Sequence, residues 1–138
     1  MVQTMAKWIE TFPGWQGAPV QLGKLCQQTG SIGLFTGGIQ VLEEKSDVLG
    51  NRKESCRHSF VLRFNAPAFD RDGFTVLVDF QHWVQQQNAL RLAPRLGDIP
   101  EQCRIRAMKG KQERTDGAGA ATYSVELTAD YIKIYEVK

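Results

Sequence analysis

A chain of 138 residues with 42% apolar and 23% charged side chains has the composition of an ordinary globular protein and the length of one domain, residues 1–138. A domain of this size buries roughly two-thirds of the surface its unfolded chain exposes, so it needs no metal or disulfide as a staple. Seventeen Lys and Arg against fifteen Asp and Glu leave a net charge of +2, too near balance for a dedicated duplex-binding protein.

Val2, Met5, Ala6, Ile9 and Phe12 fall at helical spacing with Trp8 beside them, and Pro13-Gly14 stops the pattern. A short amphipathic N-terminal helix is expected there. Gly14, Gly17, Pro19 and Gly23 then break every period, leaving Val20, Leu22 and Leu25 as a brief strand or as anchors of a loop. Between Ser31 and Glu44, the alternation of Ile39, Val41 and Glu43 with Gln40, Leu42 and Glu44 predicts a strand, with Gly37-Gly38 marking a bulge or turn before it. Gly30, Gly33, Gly37 and Gly38 fit neither GxGxxG nor a P-loop, so a phosphate cradle is not expected.

Ser46 to Asn51 reads as a connecting turn. The clearest alternation follows it. Phe60, Leu62 and Phe64 point one way and Ser59, Val61 and Arg63 the other, as in an antiparallel strand with one face on a core. His58 is expected on the polar side of that strand.

The longest helical pattern lies between Asp70 and Leu92. Phe74, Leu77, Phe80 and Val84 form its apolar stripe, widened by Val76 and Trp83. Asp79, Gln81, Gln85, Gln86 and Asn88 supply the wet side. Asp72 stands where an N-cap should, and the Ala93-Pro94 step is expected to end the helix. After a loop stiffened by Pro94 and Pro100, Ile105 and Ala107 alternate weakly with Arg104, Arg106 and Met108. Asp116 to Gly119 is a strong turn signal, and Tyr123, Val125 and Leu127 alternate beyond it. A shift of phase to Ile132 and Ile134 predicts a bulge or break near Ala129. The sum is an α+β fold, a single mainly antiparallel sheet with one long helix and a short N-terminal helix packed on it.

Chemistry is hard to find in this pattern. Cys26, Cys56 and Cys103 lack the two-residue spacing of zinc knuckles and redox motifs, and Cys56 with His58 makes only two ligands on one strand face. Neither a metal nor a cofactor is expected, and free thiols suit a reducing compartment. His58 and Ser59 point to opposite faces of a strand, which spoils a nucleophile–base pair, and His82, beside Trp83 on the long helix, is read as satisfied or solvent-facing and not as catalytic. No catalytic residue is nominated and the chain is read as a non-enzyme. No apolar run reaches the length of a signal-peptide core or a membrane span, so a soluble, cytoplasmic protein is expected. The remaining candidates are basic residues offered as a partner interface: Arg52, Lys53 and Arg57 around one strand start, and Arg104, Arg106, Lys109, Lys111 and Arg114 along another strand. Such rows often only keep sheet edges soluble; the functional alternative is contact with an acidic neighbour or with DNA.

Seven short motifs occur in order: FPGW at Phe12–Trp15, GSIGLFTGG at Gly30–Gly38, DVLGN at Asp47–Asn51, FQHWVQQQ at Phe80–Gln87, LAPRLGD at Leu92–Asp98, RAMKGK at Arg106–Lys111 and YSVELTADYIKIYE at Tyr123–Glu136. Each alone is weak; their succession over nearly the whole chain resembles a family of minor structural proteins from long-tailed phages and prophages of Gram-positive bacteria. The order of elements also resembles that of phage tail terminators. The resemblance implies a virion assembly protein, a tail terminator or tail-completion subunit, that forms a homo-oligomeric ring (usually a hexamer) at the head-proximal end of the tail tube. Its implied partners are sister copies, the tube protein and a head-completion protein, with DNA touched only in passing through the ring and no membrane. Its implied location is the host cytoplasm during assembly and then the virion. A minor capsid or head–tail connector protein is the alternative within that setting, and a small nucleic-acid-binding module the alternative of another class.

Overall fold

A computed structural model describes residues 1–15, 17–25, 30–67, 73–115 and 120–137. Two helices, α1 (Val2–Glu10) and α2 (Gly73–Ala89), lie on one face of a five-stranded sheet of β1 (Val20–Leu22), β2 (Ile32–Ser46), β3 (Arg52–Pro67), β4 (Arg104–Thr115) and β5 (Ala120–Tyr135). The strand order is β1-β2-β3-β5-β4. Every pairing is antiparallel except β1 with β2, which is parallel over Val20–Leu22 opposite Ile32–Leu34. The sheet is therefore mixed, and the brief strand at Val20 is real.

The aromatic alternation of β3 sets the core. Phe60, Leu62 and Phe64 are buried beside Leu127, Val125 and Tyr123 of β5, their direct partners in register. From α2 come Val76, Leu77, Phe80 and Val84, all buried. Phe74, expected on that stripe, is 50% exposed and sets its edge against the Tyr123 ring at 5.2 Å, so it lies at the stripe's margin. Met5, Ala6, Trp8 and Ile9 bury the inner face of α1. An aromatic box joins the two helices to the sheet. Trp8 stacks on Trp83 at 4.9 Å and donates its indole N–H to Gln87. Phe12 and Trp15 both meet Phe80, and Trp15 also meets Phe64 while donating to the Ile9 carbonyl. The FPGW step thus folds two rings back over the core and satisfies the one polar atom that burial would otherwise strand.

Two boundaries differ from expectation. α2 does not run on to Ala93-Pro94: Arg91 takes a left-handed conformation (φ 58°), its N–H bonds the Asn88 carbonyl, and the Leu92 N–H bonds Gln87. These two bonds are a Schellman ending with arginine where glycine is usual. The break expected near Ala129 is absent, since β5 stays in continuous register with β3 from Ala120 to Tyr135. Ile132 and Ile134 alternate onto the opposite face, Ile132 being buried there. The irregularities fall on the neighbours instead, between Thr36 and Gly38 and between Val41 and Glu43 of β2, and twice on β4. The first is the glycine bulge expected at Gly37-Gly38, where Gly38 adopts φ 89°. The expected cap at Asp72, Cys26 and the Asp116–Gly119 turn lie outside the described residues.

At the start of α2 the backbone comes so close to β5 that a Cβ on Gly73 would run into the Tyr123 ring. On its outer side α2 turns amides toward the sheet edge. Gln81 donates to the Met108 carbonyl and Asn88 to the Ile105 carbonyl, so two residues assigned to the wet side of the helix clamp β4 instead.

Candidate interaction surface

The sheet outgrows its helices. In β2, Ile32 and Leu34 are buried and Phe35 is half-buried, but every residue from Thr36 to Gly50 is exposed. Beyond Leu22 no described strand covers the outer edge of β2, so its backbone from Phe35 to Ser46 forms a free edge. Ile39, Val41 and Leu42 on this edge are 58%, 48% and 44% exposed, and Val48 and Leu49 stand out at the tip of the hairpin. The tip is nonetheless well formed. The Asp47 carboxylate accepts the N–H groups of Leu49 and Asn51 and the Asn51 side-chain amide. Those bonds, that of the Asn51 side chain foremost, pull the Asp47 carboxyl below its usual range.

The basic residues nominated as an interface do not gather into one patch. Arg52 lies over the Tyr135 ring and within 3.5 and 3.7 Å of Glu54 and Glu44. Lys53 lines a small recess with Glu43, Lys45 and Ser55. Arg57 grips Asp130 with two N–H groups at 2.8 and 3.0 Å, and that grip raises its guanidinium pKa. Arg104 faces the same Asp130 from the other side in register, followed by Arg106 opposite Thr128. Both arginines are exposed, and neither has an ion-pair partner among the described residues. Lys109 stands in the β4 bulge and Lys111 opposite Ser124, while the backbone of Arg114 pairs with Thr122. Only Arg104, Arg106, Lys109 and Lys111 therefore line up as one exposed basic row.

A groove runs between the β4 edge from Arg104 to Met108 and the second half of α2, with the Arg104 and Arg106 side chains set by register toward the other face of the sheet. One recess of about 440 Å³ lies between Gln85 and Asn88 on the helix and Arg104, Arg106 and Met108 on the strand. A second, past the helix end, is lined by Arg91, Arg95 and Glu101. The sequence offered no periodic signal for this groove, because it joins the end of one element to the start of the next.

His58 lies on the core side of β3 and is buried, contrary to the polar placement expected for it, because it shares the face of Phe60 and stacks on that ring at 4.2 Å. Its Nε2 is 2.5 Å from the Thr36 hydroxyl and its Nδ1 3.0 Å from the Met1 sulfur. A thioether only accepts, so Nδ1–H donates to Met1; in the neutral ring that burial favours, the Thr36 O–H donates to Nε2. Burial first, and the nearby N-terminal amine second, lower the His58 pKa. Cys56 shares its face as the spacing predicted, and burial raises its thiol pKa. With both ring nitrogens engaged, this histidine ties α1 to β2 and β3. His82 is exposed, as expected.

No protein-family model matches the chain, and no curated protein matches its sequence.

Proposed function

We propose that the chain is a virion assembly protein of a long-tailed phage or prophage, a tail terminator or tail-completion subunit that forms a ring at the head-proximal end of the tail tube. The motif succession points to that setting, and the observation that carries the reading is the bare outer half of β2. A monomer gains no burial from an ordered edge with Ile39, Val41 and Leu42 in water. A ring needs such surfaces, since each subunit must offer one patch to a different patch on the next. On this reading the partners are sister copies, the tube protein and the head-completion protein, the protein acts without catalysis, and it passes from the host cytoplasm into the virion. A head–tail connector would use the same surfaces toward other neighbours.

Sedimentation of the purified chain over a wide concentration range, alone and with assembled tubes, tests the proposal. A closed ring, or saturable capping of tube ends, is expected; a strict monomer that leaves tubes growing overturns it. The exposed basic row on β4 favours one other reading, a nucleic-acid module. Titration with DNA at two salt concentrations decides it, because phosphate binding must weaken steeply with salt.

A further inference from the structure

Two exposed surfaces among the described residues are complementary in charge. The outer half of β2 and its tip carry Glu43, Glu44 and Asp47 against Lys45 alone, set among exposed apolar residues. The groove between α2 and β4 is edged by Arg104 and Arg106, which have no ion-pair partner among the described residues, with Arg91 and Arg95 at its end against Glu101, and Met108, 46% exposed, adds an apolar side chain to its lining. They lie on opposite edges of the sheet, β2 standing outermost wherever β1 does not reach and β4 closing the other side. One molecule therefore cannot join them to each other, whereas a row of molecules can.

We propose that the bare half of β2 docks on the α2–β4 groove of a second copy of this chain, head to tail, with Glu43 and Glu44 meeting Arg104 and Arg106 of the next subunit. This rests on the ring reading above and names the surfaces that close the ring. Within one chain Glu43 meets Lys45 at 3.3 Å and Glu44 meets Arg52 at 3.7 Å, with the glutamate side chains 60% and 49% exposed. Pairs so wet are worth little and can be exchanged at little cost for contacts that exclude water. Side-chain docking suits the groove better than strand addition. Gln81 and Asn88 already occupy the Met108 and Ile105 carbonyls, so the β4 edge is no open template. Two β2 edges meeting each other would leave both arginines unpaired and would stop at a dimer.

Charge reversal tests this on the full chain. In sedimentation over a concentration series, Glu43→Lys/Glu44→Lys and Arg104→Glu/Arg106→Glu should each weaken self-association at least about tenfold. A mixture of the two, or the fourfold variant, should restore it, since both contacts of an alternating ring are then attractive. The milder Glu43→Gln/Glu44→Gln and Arg104→Gln/Arg106→Gln pairs, checked for unchanged circular dichroism and thermal midpoint, serve if a reversal disturbs folding; they should weaken association and flatten its salt dependence. If the parent chain assembles and the variants assemble equally well, or the mixture does not recover, this docking is wrong while the ring stands. If the parent stays monomeric alone and on tubes, both fall.

Discussion

Ile32 to Phe35 and Thr36 to Gly50 belong to one hairpin arm, yet they live under different rules. The first stretch lies between β1 and β3, with Ile32 and Leu34 in the common core and nearly sealed from water. The second has β3 on one side, water on the other, and no helix above it among the described residues. Its apolar residues contribute little to folding because they bury little. What holds it is the ladder to β3, the Asp47 turn and a few wet ion pairs. A strand needs a covering layer only where it must stand alone, so residues that pack belong to the fold and residues that do not are free for other work.

Matched truncations break this contrast or sharpen it. Phe80 is fully buried in the aromatic box, so Phe80→Ala should cost about 3–5 kcal/mol of unfolding free energy in a urea titration. Ile39→Ala removes an aliphatic chain of comparable reach from the bare edge and should change stability by less than about 0.5 kcal/mol. Equal losses at the two sites would show that the edge is covered in the isolated chain. Gly73→Ala comes next. Its new methyl would strike the Tyr123 ring, and overpacking of this kind should cost about 1–3 kcal/mol despite the better helix propensity of alanine.

How much of this could be read from the residues follows the same division. Wherever burial repeats with the period of the element, the pattern is plain: Phe60, Leu62 and Phe64 give a face, and Leu77, Phe80 and Val84 give a stripe. At the bare end the alternation of Ile39 and Val41 still predicts a strand, but alternation cannot tell an apolar face on a core from one facing water. His58 departs from the polar placement expected of it for a related reason. Its polarity suggested the wet side, while its spacing of two from Phe60 put it on the other, and period outranks polarity inside a strand. Gln81 and Asn88 are the converse case, polar residues on a polar helix face that find backbone carbonyls across a gap no local pattern encodes. Of the nominated basic residues, the sequence could not separate Arg57, bound to Asp130 from a distant strand, from Arg104, which has no ion-pair partner among the described residues.

His58 marks the border between the two ends, and acid should loosen it. Its folded-state pKa lies below that of the unfolded chain, so the unfolded state binds the proton more readily. The stability it confers is complete above the unfolded histidine pKa and is lost as pH falls through that value toward the folded one. Thermal midpoints should therefore drop on mild acidification, and His58→Gln should remove that part of the slope while leaving the response at lower pH, where carboxylates titrate. A midpoint that rises on acidification would mean that the ring is charged in the fold and that Nε2–H donates to the Thr36 hydroxyl instead of accepting from it.

The smallest effect concerns the end of α2. Arg91 holds a left-handed backbone that disfavours any residue with a Cβ, and Arg91→Gly should stabilise the chain by about 0.5–1 kcal/mol. An arginine kept where glycine folds better suggests a use for its charge, and its position at the end of the α2–β4 groove supplies one. Stability and association should then move in opposite directions, the variant melting later while its copies hold one another less tightly. If Arg91→Gly melts later and assembles as well as the parent, the strain at the helix end has no part in assembly, and the groove draws its charge from Arg104 and Arg106 alone.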